Sequence, residues 1–182
     1  MDEKNLIEQC IKKNAQAQKK LFDFFSPEMM GVCIRYMGRK DLASDVLQQA
    51  FITVFEKLDA YNFKGSFEGW IRRIVINACL DALRKQKAFK YGHTDVSIED
   101  MHNDPAFDAE VNQKYDAQFL LDLVAELPEG YRLVFNMYAI EGYSHREISK
   151  ELNMTESTSR SQLRKAKLKL QEMLLREEKE KD

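Results

Sequence analysis

The chain has 182 residues, of which 44% are hydrophobic and 32% charged, and 28 Lys and Arg against 30 Asp and Glu give a formal net charge of -2. That length suits one domain or two small ones, and the charged share exceeds the usual one, as expected if two small helical domains expose more surface per residue. No apolar run has the length of a membrane-spanning helix, and the acidic, amphipathic opening MDEKNLIEQC lacks the basic head and apolar core of a signal peptide. A cytoplasmic protein without membrane insertion is expected. A globally basic nucleic-acid binder is disfavoured, so any basic footprint must be local. Cys10, Cys33 and Cys79 each sit in an apolar helical pattern, and with His93, His102 and His145 they form no metal-ligand spacing. They are expected as core thiols, with no metal and no cofactor.

In chain order, Leu6 to about Tyr36 reads as two or three helices, with Pro27 after Ser26 placed to start a new segment. Asp41 is expected to cap the next helix. There Leu42, Val46, Ala50, Val54 and Leu58 recur every four residues, widened by Leu47, Phe51 and Phe55. Asp45, Gln48, Gln49, Thr53 and Glu56 take the opposite side, so the helix has one core face. A turn-like stretch, Tyr61 to Ser66, precedes a long helix from Phe67 to about Lys87 with an apolar set of Phe67, Trp70, Ile71, Ile74, Ala78 and Leu83. Trp70 among these is read as a core residue rather than a base-stacking one.

From Gly92 to Glu110 six carboxylates occur without a Lys or Arg, and Pro105 interrupts any helix. This stretch reads as an acidic linker between domains. Helical periodicity resumes over Tyr115 to Leu127 and, after Pro128, over Glu129 to Ile140, ending near Gly142. Ser144-His145-Arg146-Glu147 is a capping-box sequence, and Ile148 and Leu152 give the short helix behind it an inner face. Asn153-Met154-Thr155 forms a three-residue turn, with Met154 plugging the angle between helices and Thr155 capping a helix to about Leu175. That spacing is a helix-turn-helix.

At about 100° per residue, Ser159, Leu163, Ala166 and Leu170 share the packing face of that last helix. Ser157, Ser161, Arg164 and Lys165 point away, with Arg160 and Lys167 on the flank. Between Arg160 and Lys169 there are five basic residues and no acidic one. Hydroxyls interleaved with cationic groups suit base edges and phosphates. The segment from Glu177 to Asp182 is expected to fray. The fold class is all-α: domains at 1–88 and 113–176, an acidic linker at 89–112 and a charged tail at 177–182.

Three stretches resemble sigma domain two of the extracytoplasmic-function (ECF) sigma factors, the group IV members of the primary-sigma-like family. They are Asp45-Val46-Leu47-Gln48-Gln49-Ala50-Phe51, Gly65-Ser66-Phe67-Glu68-Gly69-Trp70-Ile71-Arg72-Arg73-Ile74, and Asn77-Ala78-Cys79-Leu80-Asp81-Ala82-Leu83-Arg84-Lys85. Leu127-Pro128, Gly142-Tyr143-Ser144, Glu147-Ile148 and Ser161-Gln162-Leu163-Arg164-Lys165-Ala166 resemble their sigma domain four. The resemblance implies a non-enzymatic initiation factor that directs core RNA polymerase to promoter DNA. Asp45, Gln48 and Gln49 would meet the β′ clamp helices. Phe63 and Lys64 would belong to the loop capturing an unpaired base of the -10 element. Arg72, Arg73, Asn77, Arg84 and Lys85 would meet the upstream edge of that element. Ser157, Arg160, Ser161, Arg164 and Lys165 would read the -35 element, and the second domain would touch the β-flap.

Control by a membrane-bound anti-sigma factor is a further implication, and the acidic linker would run through the basic channel of the polymerase. Ser157, Ser159 and Gln162 depart from the family pattern, which often has glycine, valine and arginine there. Ser159 is expected to loosen the first turn of the recognition helix. The alternative reading is a stand-alone helix-turn-helix regulator that binds duplex DNA without polymerase. A glycine-rich phosphate loop, a nucleophile paired with a base, and a metal cluster are all missing from the sequence, so an enzyme is not expected.

Overall fold

A computed structural model of the chain describes residues 3–90 and 116–181. These fall into two compact units, one within residues 1–93 and the other within 94–182. Every element among the described residues is helical. The acidic segment from Gly92 to Glu110 lies outside the described residues.

The first unit contains α1 (Glu3–Ile11), α2 (Ala15–Met37), α3 (Lys40–Glu56), a short 3-10 turn (Leu58–Ala60) and α4 (Phe67–Lys90). The Asn14 side chain starts α2 by accepting the amides of Gln16 and Ala17 at 3.0 Å each, and Gly38 ends it in the left-handed region at φ 70°. Two expectations are corrected here. Pro27 does not begin a segment but lies inside α2. An interior proline removes one helical hydrogen bond and costs about 3 kcal/mol, and the buried Leu21, Phe25, Met29 and Val32 on both sides of it hold the helix through that position.

Asp41 is not the cap of α3, which starts one residue earlier with Arg39 at the cap position. Asp41 instead sits in the first turn, where its carboxylate takes the Arg39 guanidinium at 2.6 Å. That hydrogen bond lowers the Asp41 pKa. Packed between α2, α3 and α4 are the fully buried Met29, Val32, Cys33, Tyr36, Ala50, Val54, Ile71, Val75 and Cys79. Each large apolar side chain taken from water contributes about 1.5–3 kcal/mol. All three cysteines are buried free thiols.

The second unit contains α5 (Ala117–Glu126), α6 (Glu129–Phe135) continuing into a π turn (Asn136–Ile140), α7 (His145–Leu152) and α8 (Glu156–Lys181). Leu123, Val124, Leu127, Ala166, Leu170 and Leu174 form one apolar cluster between α5 and α8, with Phe119, Tyr131 and Phe135 packed against it. Buried Arg132 closes the α5–α6 corner by donating to the carbonyls of Ala125 and Leu127 at 3.2 and 2.8 Å. Two boundaries differ from the sequence reading. α4 continues through Lys90, so the first residues of the expected linker at 89–112 are helical. α8 continues through Lys181, past the expected domain end at residue 176. Buried Leu174 anchors its last third, and the Lys, Arg and Glu that follow are good helix formers.

Candidate nucleic-acid and polymerase interface

The first unit presents two distinct surfaces. On α3, Val46, Leu47, Ala50, Phe51 and Val54 are buried, which turns Asp45, Gln48 and Gln49 outward, all exposed. The same face carries Ile52, 51% exposed. Beside it runs an open groove of about 570 Å³ lined by Ile11, Gln18, Ile52, Phe55 and Glu56 among others. The sequence reading missed Ile52. Its signal was an isoleucine on the polar side of the helical wheel.

The second surface centres on the loop from Tyr61 to Ser66. Buried Tyr61 donates its hydroxyl to the Gly65 carbonyl at 3.0 Å, Asn62 accepts the Lys64 amide at 3.1 Å, and Gly65 takes φ 84°. Ser66 accepts the Gly69 amide at 3.0 Å and so starts α4. This framework holds Phe63 at φ 58°, a left-handed conformation that costs an L residue about 1–2 kcal/mol. Its ring is 49% exposed, while Tyr61 backs it at 5.1 Å between centroids. Lys64 is exposed next to it.

Behind the loop Trp70 stacks on Phe67 at 5.8 Å and 13° and lies 5.5 Å from Tyr61. It is half-buried and acts as the outer wall of this aromatic cluster. Along α4, exposed Arg73, Asn77 and Arg84 fall within about 40° of one another at the helical rotation, continuing from the loop as one polar stripe. Arg84 also pairs with Asp81 at 2.7 Å. Arg72 and exposed Lys85 lie to either side of the stripe, and Arg72 is tied by ion pairs to Glu28 and Glu68.

In the second unit the capping box is present in full: Ser144 takes the Glu147 amide, and the Glu147 carboxylate takes the Ser144 amide at 2.8 Å. Asn153, at φ 51°, ends α7. Thr155 starts α8 by accepting the Thr158 amide at 3.0 Å, and Met154 is half-buried in the corner. Ser159, Leu163, Ala166, Leu170 and Leu174 are buried along α8.

The opposite side shows exposed Ser157 and Arg160 and half-buried Ser161, Arg164 and Lys165. Arg160 pairs with Glu156 at 2.9 Å. The expected loosening at Ser159 does not occur. Its fully buried hydroxyl lies 2.9 Å from Nδ1 of His145 and ties the first turn of α8 to that of α7. Gln162 packs against α6, where a Cβ built on Gly130 would stand 3.2 Å from its Oε1, so it is not part of the outward face.

Residues 21–89 match the Sigma-70 region 2 model and residues 119–170 the Sigma-70, region 4 model. The chain is 26% identical over 181 residues to the ECF RNA polymerase sigma factor SigW of Bacillus subtilis, an alignment that spans 94% of this chain and 96% of that protein. It is 33% identical over 144 residues to the ECF RNA polymerase sigma factor SigE of Mycolicibacterium smegmatis, covering 77% of this chain and 54% of that longer one. Among solved structures, the sigma factor RpoE of Bartonella quintana, in complex with the anti-sigma factor NepR, aligns with a TM-score of 0.51. It is 19% identical, over 86% of this chain and 95% of that one, and that likeness concerns the fold. The region 2 match lies on the unit with the aromatic loop and the region 4 match on the unit with the helix-turn-helix, and with these relatives they establish that the chain belongs to the sigma-70 family as an ECF RNA polymerase sigma factor, a transcription initiation factor.

Proposed function

We propose that the chain divides promoter recognition between its two units while the α3 face holds it on core RNA polymerase. Asp45, Gln48, Gln49 and Ile52 dock on the β′ clamp helices. An apolar side chain half out of water at the centre of a polar face is a typical binding anchor. Phe63 stacks an unpaired base of the -10 element, Lys64 takes an adjacent phosphate, and Arg73, Asn77 and Arg84 meet the duplex edge upstream of it. Arg72 and Lys85 stand at the margins of that surface. Asn77 is suited to an adenine edge and Arg160 or Arg164 to guanine or phosphate. Ser157, Arg160, Ser161, Arg164 and Lys165 enter the major groove of the -35 element, and the second unit also contacts the β-flap. The first domain is assigned through the end of α4 at Lys90 and the second from α5 through the end of α8 at Lys181, and the protein works in the cytoplasm.

The observation that carries this reading is Phe63. A conformation costing about 1–2 kcal/mol is held by three surrounding turn contacts so that an aromatic ring faces outward. Strain that the surroundings maintain is characteristic of functional loops, and a regulator that reads only duplex DNA has no use for such a ring. RpoE of Bartonella quintana was solved with an anti-sigma factor, and control of this chain by a partner of that kind, membrane-bound, belongs to the same proposal.

The test is transcription by purified core polymerase on a promoter library, with and without the chain. Promoter-specific initiation that requires the chain supports the proposal. Tight duplex binding by the chain alone, with no effect on initiation, would establish the stand-alone regulator instead.

A further inference from the structure

The mouth of the helix-turn-helix holds titratable groups that reading by Arg160, Ser161, Arg164 and Lys165 leaves unused. The His145 imidazole stacks on Tyr138 of the π turn, 4.4 Å between centroids and 19° between planes. Its Nδ1 meets the buried Ser159 hydroxyl at 2.9 Å. A hydroxyl can donate or accept, so this contact survives in either protonation state of the ring. The imidazole is therefore fixed from the π turn on one side and from α8 on the other. It lines an open groove of about 590 Å³ with Tyr143, Ser144, Arg146, Glu147, Glu156 and Arg160.

The charges around that groove cancel. Arg146 and Glu147 come from α7, and Glu156 and Arg160 from α8. Tyr138 and Tyr143, from the preceding segment, add no formal charge. Glu156 is engaged with Arg160 and Glu147 with the capping box. Two guanidiniums thus face two carboxylates, and the groove has no net formal charge while the imidazole is neutral. Burial, with Arg160 adding to it and Glu156 opposing, holds the His145 pKa below its ordinary value. A phosphate entering the groove acts in the other direction, because an anion favours the imidazolium. In a helix-turn-helix the first helix crosses the DNA backbone while the second enters the major groove, which brings the first turns of α7 and α8 to the phosphates.

We propose that this groove receives a phosphodiester of the DNA backbone at the -35 element and that His145 takes up a proton when it does, making duplex binding proton-linked. The proposal rests on the -35 reading above and adds to it a residue and a dependence on pH. Its mechanism needs no movement of the ring, only the change from a neutral to a cationic groove.

The experiment measures binding of holoenzyme, assembled from the full chain and core polymerase, to a promoter fragment carrying the -35 duplex, between pH 8.0 and 5.5. Wild type is compared with His145→Gln. The readout is the ratio of affinities at the two pH limits, since a folding defect lowers both values together while other titrating groups are common to both proteins. The ratio is expected to be about 3- to 10-fold larger for wild type, as a rise of up to about one pKa unit implies. At pH 5.5 the slope of log affinity against log salt should also be steeper for wild type by about 0.9, one phosphate contact. Equal ratios for the two proteins overturn the proposal. Holoenzyme that does not select the -35 duplex even at pH 8.0 overturns the underlying -35 reading instead, so the two failures are distinguishable.

Discussion

Replacing Phe63 by glycine separates function from stability in a way that the loop geometry quantifies. Glycine adopts φ 58° freely, so the substitution relieves about 1–2 kcal/mol of backbone strain. Against this, the contact with Tyr61 contributes about 0.5–1.5 kcal/mol, the buried half of the ring about 1 kcal/mol, and glycine adds about 0.4–1 kcal/mol of entropy to the unfolded chain. The net cost is about 1 kcal/mol, too little to depopulate a fold of ordinary stability, about 5–15 kcal/mol. Loss of base stacking removes about 1–3 kcal/mol from the open complex, about 5- to 150-fold in its population. Denaturant unfolding gives the first quantity, and permanganate reactivity of unpaired thymines in the holoenzyme–promoter complex gives the second. Phe63→Tyr, which keeps the ring, should behave like wild type. A stability loss above about 3 kcal/mol would refute the reasoning by making Phe63 a structural residue. Undiminished thymine reactivity in the glycine variant would refute it from the other side.

Four further outcomes are expected. Ile52→Glu, on an exposed position of α3, should alter stability by no more than about 0.5 kcal/mol while weakening core polymerase binding at least about tenfold, read by competition against labelled wild type. Ser144→Ala removes one side of the capping box and should cost about 1 kcal/mol in denaturant unfolding. Ser159→Val fills the buried site without a hydroxyl and leaves His145 without its partner. A double-mutant cycle with His145→Gln should return a coupling of about 1 kcal/mol, and a coupling near zero would show the contact to be energetically idle. The free protein should lose stability on acidification. Because the folded His145 pKa lies below the ordinary 6.5, its contribution is fully present above about pH 6.5 and is lost as pH falls through the folded value. Denaturant midpoints at pH 8 and pH 5 should therefore differ more for wild type than for His145→Gln.

Much of the site was legible because its signals are local. The capping box at Ser144 spans four residues of one chain segment, and the buried stripe of Leu163, Ala166 and Leu170 follows from helical rotation alone. The outward positions of Asp45, Gln48 and Gln49 follow in the same way from the apolar face of α3. Pro27 misled the reading because a proline's local preference for a helix start was overridden by packing along both halves of α2. Asp41 misled it because a carboxylate is favourable in the first turn of a helix as well as at its cap, and here it lies two residues past the cap, paired with Arg39.

Local spacing therefore determined which residues are helical and which side of each helix faces water, since backbone hydrogen bonding fixes that rotation within a single segment. Only tertiary structure decided what the inward and lateral side chains meet. Ser159 and His145 lie 14 residues apart, and only the packing of α7 against α8 converts an apparently weak core serine into the fastening of the recognition helix. The same holds for Gln162, which is turned towards Gly130 on α6, and for Phe63, whose outward ring depends on Tyr61 and Gly65 bracing the loop beneath it.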